Sequence, residues 1–115
     1  MFFVIEYNNT TVSNISTFKS KMDALDCIYS IMQGQKFVKD YWSDKWWNDS
    51  GRYLELKEFK PDDFVVYTQS NGYRVSAQVD EVNESYIVIH TIALPENKFK
   101  TVVTKIEKEM RVIGT

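Results

Sequence analysis

The chain has 115 residues, of which 43% are hydrophobic and 26% are charged, and its formal net charge at pH 7 is −2. This size and balance predict a single self-folding globular domain, 1–115, and argue against a fibrous repeat or a disordered tail. The small negative charge excludes a bulk basic field for nucleic acid, so any such site is expected to be a local patch.

Cysteine usage and hydropathy bear on the compartment. The one cysteine, Cys27, excludes an intramolecular disulfide framework and fits a reducing compartment. The opening residues lack the basic segment and long apolar run of a signal peptide, and no stretch approaches the ~20 apolar residues of a membrane span. We therefore expect a cytoplasmic protein without a membrane partner.

The first half of the chain predicts two strands, one helix and a loop. Residues 2–7 are a short apolar run typical of a buried strand, and a Thr/Ser-rich extended stretch follows a turn at 8–11. Ser20 with Asp23 predicts a helix start, apolar residues then recur at helical spacing, and Gly34 predicts the helix end. Residues 35–51 show no sustained period, so we expect a short strand and then a long loop that carries all three Trp.

From residue 52 onward the pattern indicates β-structure. Residues 52–58 and 64–68 fit strands separated by a turn at 60–63, and Asn71-Gly72 predicts a type I′ hairpin turn because both residues tolerate a positive φ. The returning strand alternates until Val82, which suggests a bulge or the end of the strand, and residues 86–92 are apolar on both faces, as in a central strand. The tail at 98–113 fits a helix or strands, and we expect strands. The predicted class is α+β, with one main helix near the N-terminus and a β-meander.

Catalytic and metal-binding patterns are sparse. One Cys and one His do not make a transition-metal site, and neither a nucleophile elbow nor a phosphate-binding loop appears. Cys27 lies beside the apolar helix face and is expected to be buried. His90, within an apolar strand, is expected to be a hydrogen-bonded core residue. We therefore expect a binding protein without catalytic residues, metal or cofactor, and not an enzyme.

Aromatic and cationic residues interleave in the segment 36–52. Single-stranded nucleic acid is bound by such pairings, because bases stack on aromatic faces for about 1–3 kcal/mol each while Lys and Arg contact phosphates. Three Asp residues in the segment dilute its charge. Two other interpretations stay open: the Trp side chains anchor a loop onto the sheet, or they form a hot spot for a protein partner. The candidate RNA contacts are Lys36, Lys39, Trp42, Trp46, Trp47 and Arg52, with Arg74 from a later strand.

Three short motifs point to a family. Residues 31–36 fit a helix end of the form I-x-x-G-x-K, residues 60–67 a strand entry G-D-x-V-x-F, and residues 74–82 a strand A-x-V-x-x-V. They resemble ASCH and PUA-like domains, small β-barrels associated with RNA. The chain is also similar to the PUA-like regulators of enterococcal pheromone-responsive conjugative plasmids, a family implicated in RNA-level control of adhesin production. The resemblance implies one PUA-like domain, 1–115, with a mixed or antiparallel β-barrel.

The chain departs from the enzymatic members of that family. Members that are similar to amidohydrolases carry G-x-K-T-x-E, whereas Phe37 stands at the Thr position and Lys39 at the Glu position; Asp62 replaces a turn glycine. The resemblance therefore implies a noncatalytic RNA-binding regulator, plasmid- or phage-borne, that acts on gene expression. The alternatives are a plasmid- or phage-encoded inhibitor that binds a host protein, and a small ASCH-like amidohydrolase.

Overall fold

The computed structural model describes residues 1–109, and the chain divides into two compact units, 1–58 and 59 onward. The first unit holds five strands and one helix: β1 Phe2–Asn8, β2 Thr11–Phe18, α1 Lys21–Met32, β3 Val38–Lys39, β4 Lys45–Trp47 and β5 Arg52–Glu58. Over its described residues, 59–109, the second holds five strands and a short 3₁₀ helix: β6 Phe64–Thr68, β7 Arg74–Val82, β8 Ile87–Thr91, β9 Lys98–Thr101, the 3₁₀ helix Val103–Lys105, and β10 Ile106–Lys108.

Each unit is built on one antiparallel sheet, which confirms the α+β class. Sheet A, in the first unit, has the strand order β2-β1-β5-β4-β3, and sheet B, in the second unit, has the order β10-β6-β7-β8-β9. Every strand pair in both sheets is antiparallel. Neither sheet closes on itself within residues 1–109, so the expected barrel is not confirmed.

Helix α1 begins and ends where the sequence predicts. Ser20 is the N-cap, and its hydroxyl accepts a hydrogen bond from the Asp23 backbone N–H at 3.1 Å, which satisfies a donor of the first turn. The last helical residue is Met32, and Gly34 follows with a φ of 78°, a left-handed conformation that glycine adopts at little cost.

The core of the first unit lies between α1 and one face of sheet A. Side chains that alternate along β1 and β5 point to this face, and the apolar stripe of α1 packs on them. The helix contributes Ala24 and Ile28, both fully buried, and Cys27 packs against the cluster as a partly buried thiol. The remaining buried members are Val4, Trp46, Leu54 and Leu56.

The expected long loop at 35–51 contains more strand than predicted. One short strand was expected there, and β3 is that strand, yet the chain then turns at 40–44 and returns as β4, which pairs with both β3 and β5. Trp46 and Trp47 therefore lie in a strand and only Trp42 lies in the turn. The strand escaped prediction because its three residues are too few for a period to be seen, and its order comes from two neighbouring strands.

Sheet B confirms the meander, with a correction to its first turn. The β6–β7 hairpin is present, but Asn71 does not adopt a positive φ and only Gly72 does, at 88°. The Gln69 N–H donates to the Tyr73 carbonyl at 2.8 Å and the Gly72 N–H donates to the Gln69 carbonyl at 2.9 Å, so the loop is longer than the expected two-residue type I′ turn.

The second unit has two irregular positions, of which the first was expected from the sequence. A bulge falls between Val79 and Glu81 of β7, where the broken alternation at Val82 suggested one. Asp62, which stands where the resembled family has glycine, has a φ of 74° and so keeps the left-handed conformation of a turn glycine. Gln78 fixes this turn by donating its side-chain amide to the Asp62 carbonyl at 3.2 Å.

The tail consists of strands, as expected, with a 3₁₀ turn between β9 and β10. Met110 and Val112, which also entered that prediction, lie outside the described residues. β9 and β10 stand at opposite ends of the strand order but are joined by four residues, 102–105, which span at most roughly 18 Å. Sheet B must therefore curl strongly, and the rings of Tyr67 in β6 and Phe99 in β9 meet at 5.2 Å between centroids.

Candidate nucleic-acid interface

The turn between β3 and β4, residues 40–44, is organised by one carboxylate. Asp40 accepts hydrogen bonds from the Ser43 hydroxyl and from the Trp42 backbone N–H, the latter at 3.4 Å, and its own N–H donates to the Lys45 carbonyl at 2.9 Å. The Ser43 hydroxyl first, and then the Trp42 N–H, hold the pKa of the Asp40 carboxyl below its ordinary value. The turn is thus preorganised by its own side chains.

This turn, which we call the aromatic turn, displays two rings to solvent. Trp42 is 88% exposed and Tyr41 is 83% exposed. Their centroids lie 4.6 Å apart with an interplanar angle of 82°, an edge-to-face contact that restricts both rings. Large aromatic side chains held in water on an ordered turn are typical of a binding surface.

Lys39 supports the aromatic turn with its ammonium group. Its Nζ donates to the backbone carbonyls of Asp40 at 3.2 Å and Ser43 at 3.1 Å, and it lies 5.5 Å from the ring centroid of Trp46. These contacts combine hydrogen bonding with a cation–π interaction. Lys39, which the sequence analysis expected to contact a phosphate, thus also stabilises the aromatic turn through these contacts.

Trp46 and Trp47 face opposite sides of sheet A because successive residues of a strand alternate. Trp46 lies opposite Leu54 on the helix side, is only 4% exposed and belongs to the core. Trp47 lies opposite Tyr53 on the other side and is 41% exposed. A buried indole has no free face for a base, so of these two adjacent residues Trp47 is the one that can stack.

Trp47 is part of a row that crosses all five strands of sheet A. Val38 pairs with Trp47, Trp47 with Tyr53, Tyr53 with Tyr7, and Tyr7 with Val12. Directly opposite residues project from the same face about 5 Å apart, so these side chains form a continuous stripe. We call its three aromatic members, Trp47, Tyr53 and Tyr7, the aromatic row.

The aromatic row is accessible and internally packed. The Tyr7 and Tyr53 rings meet at 5.2 Å between centroids with an interplanar angle of 61°. Both tyrosines are half-buried, while Val38 and Val12 at the two ends are exposed. A sheet face that carries accessible aromatic rings in line is a platform on which unstacked bases can lie.

A buried carboxylate lies beside the aromatic row on the same face. Glu55, which is 5% exposed, accepts a hydrogen bond from the Tyr7 hydroxyl at 3.2 Å. The ammonium groups of Lys45 and Lys57 each lie 3.6 Å from one of its oxygens. This network fixes the Tyr7 ring and leaves Lys45, whose side chain is 39% exposed, as the cation nearest to the row at the surface.

The remaining candidates are dispersed. Arg52 lies on the helix side of sheet A, where its guanidinium donates to Glu6 and to the Gln35 side-chain oxygen, both at 3.4 Å. Lys36 is exposed and precedes β3. Arg74 is exposed and begins β7, in the second unit.

The structure brings together only part of the predicted site. Lys39, Trp42 and Trp46 are linked through the aromatic turn, whereas Trp47 faces the other side of the sheet. Three aromatic residues escaped the sequence analysis. Tyr41 lies within the segment 36–52 but was not chosen as a contact. The weak alternation of residues 52–58 indicated a strand that contains Tyr53. Nothing in the sequence indicated that β1 would pair with β5 and place Tyr7 beside Tyr53.

His90 is paired with a carboxylate. His90 Nδ1 lies 2.8 Å from an Asp80 carboxylate oxygen, so the histidine is partnered, but it stands on the outer face of sheet B and not in the core. Among residues 1–109, no group of three or more His, Cys, Asp or Glu side chains is arranged to hold a metal ion. No helix in that same range is long and apolar enough to cross a membrane.

Comparison with known proteins returned no relatives. No protein-family model matches the chain, and no curated protein or solved structure shows significant similarity to it.

Proposed function

We propose that this chain is a noncatalytic protein that binds single-stranded RNA on the aromatic row. The observation that carries the proposal is the placement of Trp47, which is 41% exposed on the face of sheet A opposite the helix and in line with Tyr53 and Tyr7. Such a surface suits unstacked bases because each base offers a π-face regardless of its sequence. Duplex RNA hides its bases within the stack and would not use this surface.

The sequence-predicted residues divide into contacts and supports. Trp47 stacks a base and the exposed Lys36 meets a phosphate, joined by the partly exposed Lys45, which was not among the predicted contacts. Trp46, with its ring in the core, positions β4 rather than touching RNA. We assign Lys39 and Arg52 to holding the turn and the sheet, with phosphate contact as a secondary role.

The resemblance to PUA-like domains also supports RNA binding, and it rests on motifs other than the aromatic row. We propose that the curled sheet B is the counterpart of the barrel of such a domain, and that the protein regulates gene expression by occupying a single-stranded segment of a transcript. A plasmid or phage origin belongs to this proposal and rests on the resemblance alone.

The test is the affinity for a fluorescent single-stranded RNA pool, measured by anisotropy at increasing salt. We expect binding that weakens with salt, a preference over duplex RNA, and a loss of roughly 5- to 150-fold in Trp47→Ala, the equivalent of one stacked base. Tyr29→Ala is the matched control, since Tyr29 is an exposed aromatic residue of α1, outside the row. If the wild type does not bind at low salt, or if the two variants bind equally well, the proposal is wrong.

A second candidate function rests on the aromatic turn. Tyr41 and Trp42 are exposed on a preorganised turn whose nearest charges include Asp40 and Asp44, an arrangement better suited to an apolar pocket with a basic rim than to phosphates. This would make the chain an inhibitor that docks on a host protein. A host-lysate pull-down that returns a protein with the wild type but not with Trp42→Ala would support it, whereas recovery of RNA alone would contradict it.

A further inference from the structure

The loop between β8 and β9 exposes an apolar run. Residues 92–95, Ile-Ala-Leu-Pro, are all exposed, and Ile92 and Leu94 keep 47% and 51% of their surface in contact with solvent. Consecutive exposed apolar residues are avoided in soluble proteins unless they serve binding. Nothing proposed for the aromatic row or the aromatic turn uses this loop, which belongs to the second unit.

An exposed tyrosine ring stands at the same end of sheet B. In an antiparallel meander the β6–β7 and β8–β9 connections emerge at one end, separated by two strand spacings, or roughly 10 Å. The β6–β7 loop carries Tyr73, which is 71% exposed. Internal hydrogen bonds fix both tips: the Tyr73 N–H donates to the Asn71 side chain at 3.0 Å, and the Leu94 N–H donates to the Thr91 carbonyl at 3.2 Å.

Cations lie directly behind these two tips. Arg74 is the first residue of β7 and Lys98 the first residue of β9, and both project from the outer face of sheet B, away from its buried side chains. The Lys98 side chain is 59% exposed, and its ammonium lies 3.8 Å from Asp80, a carboxylate that also pairs with His90. Glu96 is the one acidic residue within the loop 92–97.

We propose that this end of sheet B binds the surface of a lipid membrane that contains anionic headgroups. The groups at this end match those that bind membranes: the exposed apolar Ile92 and Leu94 in one loop, an exposed tyrosine in the neighbouring loop, and the cations Arg74 and Lys98 at the first position of the strands that follow. The two tips project side by side, and a membrane accepts such convex projections, whereas a protein partner would need two separate pockets. The expectation of no membrane partner came from the absence of a spanning segment, which does not bear on peripheral contact.

The test is cosedimentation of the purified chain with phosphatidylcholine vesicles, with and without phosphatidylserine. We expect binding only when phosphatidylserine is present, weakening as salt is raised, because each Lys or Arg near the surface contributes about fivefold. Leu94→Glu should abolish binding, and Arg74→Gln should lower it about fivefold. Val102→Glu is the matched control, because Val102 is an exposed apolar residue after β9, at the other end of the sheet.

Three results would overturn the proposal. In the first, the wild-type protein stays in the supernatant with phosphatidylserine vesicles. In the second, Leu94→Glu sediments with the vesicles like the wild type. In the third, Val102→Glu loses as much binding as Leu94→Glu. Circular dichroism of each variant, together with Ile92→Gln as a milder second change in the tip, separates loss of contact from loss of folding. Ile92 and Leu94 are not among the candidate RNA contacts, so the RNA affinity of Leu94→Glu and Ile92→Gln is expected to remain unchanged.

Discussion

Trp46 and Trp47 are adjacent in the chain, yet their replacement by alanine is expected to have different consequences. A Trp side chain buries up to about 250 Å² when fully enclosed, and removing one from a core costs about 3–5 kcal/mol of the free energy of unfolding. Trp46 is 4% exposed, so Trp46→Ala should fall in that range. Trp47 is 41% exposed and its exposed part is the surface proposed for RNA, so Trp47→Ala should cost about half as much stability.

Urea denaturation and RNA titration together test this division of roles. The free energy of unfolding should fall most in Trp46→Ala, while RNA affinity should fall most in Trp47→Ala, by roughly 5- to 150-fold. Trp46→Phe keeps a ring in the core and should bind RNA like the wild type. Equal stability losses in the two alanine variants, or a larger loss of affinity in Trp46→Phe than in Trp47→Ala, would refute the assignment of faces.

Three further predictions concern two turns and the partly buried thiol of Cys27. Gly51→Ala should lower the free energy of unfolding in urea more than Gly72→Ala does. Both glycines have a positive φ, but a Cβ at Gly51 would lie 2.3 Å from the side-chain oxygen of Asn9, whereas nothing lies within 4 Å of a Cβ at Gly72. Equal losses of stability would mean that the Asn9 side chain moves aside. The pKa of the Asp40 carboxyl is lowered in the folded state, so its contribution to stability is present above the ordinary Asp range near pH 4 and is lost as the pH falls through the folded pKa. Asp40→Asn should therefore lose less stability than the wild type when the pH falls from about 6 to about 3. An identical loss in both proteins would contradict this. Burial first, and then the charge of a nearby carboxylate, raise the pKa of the Cys27 thiol. Its reaction with a disulfide reagent at neutral pH should therefore be slow in the folded protein and faster after unfolding in urea. Equal rates in the folded and unfolded protein would show that the fold does not protect the thiol.

The fold was predictable where local chemistry dictates it. The helix start at Ser20 follows from one hydroxyl and one backbone donor, and the helix end at Gly34 follows from a left-handed φ that glycine adopts readily. The returning strand of the meander was visible in its alternation of apolar and polar residues. The Asn71-Gly72 dipeptide predicted the hairpin correctly but its turn wrongly, because tolerance of a positive φ at Asn71 does not require it.

Long-range pairing explains what the sequence did not reveal. Strand β4 has three residues and no period of its own, and it is ordered by pairing with β3 and β5. For the same reason the segment 36–52 named Trp46 and Trp47 together without showing that they face opposite sides of sheet A. Tyr7 joins Trp47 only because β1 and β5 are neighbours, although their residues are far apart in the chain.

The most direct test of the proposed function is ultraviolet crosslinking of the protein to RNA in its own host, with sequencing of the RNA and mass spectrometry of the crosslinked peptides. We predict transcripts enriched in single-stranded segments, and crosslinked peptides that contain Trp47, Tyr53 or Tyr7. Crosslinks confined to the second unit would contradict the assignment of the aromatic row. Recovery of no RNA above the level of a Trp47→Ala control would contradict RNA binding itself.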